Sequence, residues 1–220
     1  MPQTAGGLAH LSTEDESQAI REASESSAQL IELCQPSAAE VLHLVRSSNV
    51  DILHLACHAE LDLNDFSNTS LLFGLDLDAH TFDPLAVWEP RNIQDLSRSD
   101  QRPLRLAYLS ACCTAQQYDP RLIDENIHLA AAFQLSGSPA VIGTLWEADD
   151  TAAVVVARTP YGELFRQGQA CRAGIAEGQS GYHVAKALYF ATATYRQRKV
   201  ARGNPAEDAL AWASFVHIGA

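Results

Sequence analysis

The chain has 220 residues, 47% of them hydrophobic and 19% charged, with a formal net charge of −12. That length suits one domain, and the apolar share is large enough for a sizeable core, which excludes global disorder. The acidic balance argues against a nucleic-acid-binding surface and against docking on anionic membranes, both of which need clustered basic groups.

Ser12 opens a predicted helix, with an acid three residues on (Asp15) and Ala19, Ile20 and Ala23 at helical spacing. Its early acids Glu14, Asp15 and Glu16 read as a solvated face that also suits the helix dipole. The short apolar run 29–34 reads as a strand closed by Pro36. Ser37 and Glu40 form a capping box for the next helix, whose apolar stripe is Val41, Leu42, Leu44 and Val45. VDILHLAC (50–57) is an apolar run of strand length. The loop-rich stretch 60–103 holds a strand or hairpin near 70–75 and a short helix near 92–96.

LRLAYLSA (104–111) is the next strand, followed by a helix over 124–135 that ends at Ser136-Gly137. PAVIGTLW (139–146) is another strand, and Asp149 and Asp150 begin a further helix that Pro160 should kink or break. The Gly- and Gln-rich stretch 166–181 reads as a linker, 182–199 as a helix and 212–218 as a last strand. Repeated strand–helix–strand units with continuously apolar strands predict an α/β fold with a largely parallel sheet covered on both faces. An α/β domain ordinarily has a strand before its first helix, so a first strand is expected to be missing and the chain to be a C-terminal fragment of a longer protein.

Cys34, Cys57, Cys112, Cys113 and Cys171 are an odd set without framework spacing. No leader-like pattern and no apolar run near 20 residues is visible, so a soluble, reducing, cytoplasmic setting with free thiols is expected. There a cysteine can serve as a nucleophile, with an imidazole to take its proton. Two strands end in reactive groups: HLACHAE (54–60) carries His58, and LSACCT (109–114) carries Cys112 and Cys113. Sites of open α/β sheets lie at the carboxyl ends of strands. If these strands are neighbours, His58 and Cys112 face each other. Their separation, 112 − 58 = 54 residues, is the caspase-like order, although the Q-A-C-x-G signature is absent.

HLACHAE, LSACCT, DENIHLAAAFQLSGSPAVIGTLWEADDTAAV (124–154) and AWASFVHIG (211–219) together resemble the CHAT family of caspase-like cysteine peptidases, relatives of separases, in a fungal-type form. The likeness runs from Met1 to Ala220 and implies a single domain with a caspase-like three-layer sandwich. It also implies a cysteine endopeptidase in a regulated signalling pathway, with a protein or peptide substrate, regulatory repeat or sensor domains in the parent protein, and no cofactor or metal. By position, His58 is the general base or acid, Cys112 the nucleophile, and the N–H groups of Ala59 and Cys112 the oxyanion donors. The acidic turn with Glu147, Asp149 and Asp150 resembles a separase turn that favours a basic residue before the cut.

Ala59 stands where the family has glycine after the histidine, Ala115 at a position that is often glycine, and Pro160 where Phe is usual. A catalytically weak or inactive CHAT module acting as a scaffold is therefore the alternative. Cys113 rivals Cys112, since successive strand side chains face opposite ways. His54, Cys57 and His58 are also weighed as metal ligands, without a second cluster to complete a site. Asp149 and Asp150 are weighed as helix-start acids. His128, Phe133, Trp146 and Trp212 read as core, and Cys34, Cys57, Cys113 and Cys171 as inert buried thiols.

Overall fold

The computed structural model describes residues 11–24, 28–60, 70–73, 87–88, 93, 104–111, 114, 129–146, 149–172, 184–200 and 207–219. The chain divides into two units: Met1–Leu11, Leu33–Glu147 and Ile218–Ala220 in one, Ser12–Glu32 and Ala148–His217 in the other.

The first unit is built on the apolar runs. β1 (Ile52–Ala56) pairs in parallel with β5 (Leu106–Ser110), and β5 in parallel with β6 (Ala140–Thr144). The sheet order is β1-β5-β6-β7, where β7 is Phe215–Gly219 and its end, Ile218–Gly219, belongs to this unit. All residues of β5 and β6 are buried, as continuously apolar strands inside a parallel sheet should be. β1, the edge strand of this sheet among the described residues, alternates instead, with Leu53 and Leu55 buried and His54 half-buried. A second, antiparallel sheet has the order β2-β3-β4, from β2 (His58–Glu60), β3 (Ser70–Leu72) and β4 (Val87–Trp88). The mixed α/β architecture with a mostly parallel sheet is the one expected, and it is consistent with a caspase-like fold.

Helix ends follow local chemistry. Before α2 (Ala38–Ser47), Ser37 Oγ accepts from the Glu40 N–H at 3.2 Å while the Glu40 carboxylate accepts from the Ser37 N–H at 2.8 Å. The Ser37 N–H and, at 2.8 Å, the Ser37 hydroxyl both donate to the Glu40 carboxylate and hold it below its usual range. After α3 (Leu129–Leu135), Gly137 takes φ 102°. The Ser138 N–H reaches the Phe133 carbonyl, and the Gly137 N–H reaches that of Gln134, which is the Schellman closure. Gly219 is the other glycine with positive φ among the described residues, and it lies against the Pro139 carbonyl at the start of β6.

The second unit is helical: α1 (Thr13–Ser24), α4 (Asp150–Arg172), α5 (Val184–Val200) and α6 (Glu207–Trp212). α4 packs against both α1 and α5, burying Ala19 and Ile20 from α1, Val156 and Leu164 from α4, and Leu188 and Ala191 from α5. None of the described helices is long and apolar enough to cross a membrane.

Several expectations need correction. Residues 29–34 form no strand: an apolar run needs a partner ladder, and Leu30, Ile31 and Leu33 are exposed. Cys34 is likewise exposed, not a buried thiol, and Cys57 is half-buried. In α2 only Val41 of the expected stripe is buried, with Leu42, Leu44 and Val45 half-buried. Glu16 is buried, because α1 turns it toward α4. Burial, reinforced by the Glu16 charge, raises the Tyr161 phenol well above its ordinary range.

α4 runs unbroken through Pro160, which is itself buried. Packing on both neighbouring helices outweighs the roughly 3 kcal/mol such a proline costs. α4 also continues to Arg172, through much of the stretch read as a linker, with Arg166 paired to Glu163 one turn earlier. Trp212 ends α6 and is half-buried beside Arg196, while the last strand starts at Phe215. Trp146 is half-buried, and Phe133 is fully buried. Except for Ile93, the expected helix at 92–96 lies outside the described residues, as do His128 and the Cys171 side chain.

Candidate active site

β1 and β5 are adjacent, parallel and in a fixed register that pairs Ile52 with Leu106 and Ala56 with Ser110. The offset is 106 − 52 = 54 residues, which equals 112 − 58. In a parallel pair, register-matched residues stand side by side about 4.8 Å apart, and every second residue shares a face. The pair His54 and Tyr108 displays this directly: their rings stack with centroids 4.6 Å apart. Ala56 and Ser110 follow on the same face, at the carboxyl ends of both strands.

Beyond Ala56 the chain passes Cys57 and enters β2, where His58 pairs with Leu72 and Ala59 with Leu71 of β3. His58 is half-buried, and its Nε2 is shielded from solvent. β2 therefore fixes the backbone that carries the histidine. Ala59 sits in this strand with ordinary backbone; among the described non-glycine residues only Gln35 has positive φ. The family glycine is thus not needed here for its left-handed conformation. Cys112, Cys113, Ala115 and Glu147 lie outside the described residues.

Ala111 and Thr114, the described residues on either side of Cys112 and Cys113, are both tied to one residue. Thr144, last in β6, donates its hydroxyl to the Ala111 carbonyl at 2.5 Å. Its N–H donates to Thr114 Oγ1 at 3.0 Å. The Thr114 carbonyl then accepts from the Ala130 N–H at 3.1 Å, anchoring Thr114 to the start of α3. Thr114 and Thr144 are fully buried, so no solvent competes for these bonds. Sequence reading passed over both threonines. No local pattern singles them out, since their partners lie 30 and 33 residues away.

Asp149 and Asp150 stand at the start of α4. Asp149 Oδ1 accepts from the Ala152 N–H at 2.8 Å, and the Asp149 carbonyl accepts from the Ala153 N–H, which makes Asp149 the N-cap. The Asp150 carboxylate accepts from the Ser12 N–H at 2.8 Å and from the Ser12 hydroxyl at 2.5 Å. These two carboxylates perform the structural work expected of helix-start acids.

Comparison with curated proteins gives no significant match. The family model of the CHAT domain matches residues 8–220. Nearly the whole chain is covered, and the chain belongs to the CHAT domain family, which is related to caspase-like cysteine peptidases.

Proposed function

We propose that this protein is a cysteine endopeptidase of the caspase-like type, with His58 and Cys112 as its catalytic dyad. The observation that supports it most is the register of β1 and β5, whose 54-residue offset equals the separation of the two side chains. The imidazole of His58 takes the thiol proton, and the Cys112 sulfur attacks the scissile carbonyl carbon. The N–H groups of Cys112 and Ala59 hold the oxyanion of the tetrahedral intermediate. As it collapses, the C–N bond breaks and His58 returns the proton to the departing amine. Water then hydrolyses the thioester, again with His58 as base. A substrate strand adds beside the sheet edge.

A preference for a basic residue before the cut belongs to the acidic turn, and we assign it first to Glu147. Asp149 and Asp150 already direct carboxylate oxygens to Ala152 and Ser12. Action on a protein substrate in a signalling pathway, under control of repeat or sensor domains and in the cytoplasm, completes the reading.

A thiol-directed peptide probe ending in arginine tests it. The probe should label wild-type protein at Cys112 and leave Cys112→Ala unlabelled. Equal labelling of both proteins removes the proposal. In the competing reading, a binding-only module, Cys112→Ala leaves partner binding and biological output unchanged.

A further inference from the structure

We infer that the outer face of α5 is a docking surface for an acidic amphipathic helix of a partner protein, whether or not Cys112 cleaves peptides. The inner face of α5 carries Val184, Ala187, Leu188, Ala191 and Tyr195, all buried. Successive helical residues turn by about 100°, so Lys186, Tyr189, Phe190, Ala193 and Arg196 share the opposite face. A helix facing water ordinarily fills that side with polar residues. Here its middle holds Tyr189, 66% exposed, Phe190, 43% exposed, and the half-buried Ala193. α5 is therefore apolar on two sides, and packing within the helical unit accounts for one of them.

The chemistry of the face selects its occupant. The Tyr189 and Phe190 rings meet edge to face with centroids 5.7 Å apart and form one ridge. Lys186 Nζ lies 5.9 Å from the Phe190 ring centre, and the Arg196 guanidinium 5.8 Å from that of Trp212 in α6, so a cation stands at each end of the ridge. The two cations are 196 − 186 = 10 residues apart, about 15 Å along the axis. α5 contains Lys186, Arg196, Arg198 and Lys199 and no acidic residue, in a chain of formal net charge −12. A partner must bring apolar side chains to the rings and carboxylates about 15 Å apart to the cations, which a helix of three turns does. The small side chain of Ala193 lets that helix approach beside the ridge. The acidic chain as a whole opposes a dense polyanion, nucleic acid or anionic lipid, far more than a helix with a few carboxylates.

The test titrates the full chain into two fluorescein-labelled synthetic helical peptides and follows fluorescence anisotropy. One peptide has a leucine face flanked by glutamates about ten residues apart, and the other has lysines in place of those glutamates. The acidic peptide should bind with a Kd on the order of 10–100 µM at low salt, at least about tenfold more tightly than the lysine peptide. Phe190→Ser should weaken it by about tenfold or more, and Lys186→Glu by about threefold or more. Leu135→Ser removes a leucine that is 71% exposed on α3 of the other unit, and should bind as wild type does.

No binding of the acidic peptide at about 1 mM protein overturns the proposal. So does equal affinity for the two peptides, or a Leu135→Ser variant weakened as much as Phe190→Ser. Vesicles of phosphatidylserine and phosphatidylcholine form a second arm, and binding to them that Phe190→Ser abolishes replaces the partner helix with a lipid surface. Circular dichroism melts accompany each variant, and Phe190→Ser should keep its Tm within about 4 °C of wild type. Should that variant unfold earlier, Lys186→Glu decides, because Lys186 is exposed and its replacement leaves the core intact. Unchanged affinity in Lys186→Glu overturns the proposal.

Discussion

Removing the Asp150 carboxylate is a direct way to separate helix construction from substrate recognition in the acidic turn. Asp150 receives the Ser12 N–H at 3.0 and 2.8 Å on its two oxygens and the Ser12 hydroxyl at 2.5 Å. Ser12 immediately precedes α1, so this contact ties the starts of α1 and α4 together. A hydrogen bond to a charged group contributes about 1.5–3 kcal/mol, and an acid in the first helical turn a few tenths to 1 kcal/mol. Asp150→Ala should therefore lower the unfolding free energy by about 2–4 kcal/mol. For a chain of this size each kcal/mol moves Tm by about 2–4 °C, so the shift should be about 5–15 °C.

Asp149 gives the internal control. Asp149→Ala removes the N-cap acceptor and should cost about 1 kcal/mol, whereas Asp149→Asn retains it and should cost almost nothing. Urea denaturation followed by circular dichroism measures all three. Asp150→Ala within about 0.5 kcal/mol of wild type would refute the reasoning. A weakened preference for arginine in Asp149→Asn, with stability unchanged, would add substrate recognition to the role of that carboxylate.

Three further outcomes concern Thr114, Gly219 and His217. Thr114→Val leaves the Thr144 N–H without its acceptor and should destabilise by about 1–3 kcal/mol in the same urea assay. Gly219→Ala places a Cβ 2.2 Å from the Pro139 carbonyl oxygen at φ 133°, and should cost about 2–4 kcal/mol; unchanged stability would contradict the close approach of β7 to the start of β6. His217 is half-buried, and burial holds its pKa below 6.5, so the unfolded chain binds the proton more readily. Its contribution is present above pH 6.5 and lost as pH falls through the folded value. Between pH 7.5 and 5.5 the wild type should lose more unfolding free energy than His217→Leu, and equal losses would dismiss this role.

The strands around the site were legible because each is a short, continuously apolar run ending in polar residues, a pattern that depends on few other contacts. VDILHLAC, LRLAYLSA and PAVIGTLW became β1, β5 and β6, two of them buried at every position. The capping box at Ser37 and the closure at Gly137 were readable for the same reason, since the bonds are made within a few residues. What failed depended on distant parts of the chain. Residues 29–34 have strand-like composition but no partner strand among the described residues, and Pro160 is carried by packing on both sides of α4. Glu16 looked solvated until α1 turned it toward Tyr161. The ties from Thr144 to Ala111 and Thr114 span 33 and 30 residues, a distance at which composition and periodicity carry no signal.

The pH dependence of Cys112 alkylation in wild type and in His58→Ala tests the proposed dyad most directly. With the imidazole beside the sulfur, the wild-type rate should rise through a pKa clearly below the ordinary thiol value of about 8.5, and His58→Ala should return it to that value. Superimposable profiles for the two proteins would contradict the pairing of His58 with Cys112.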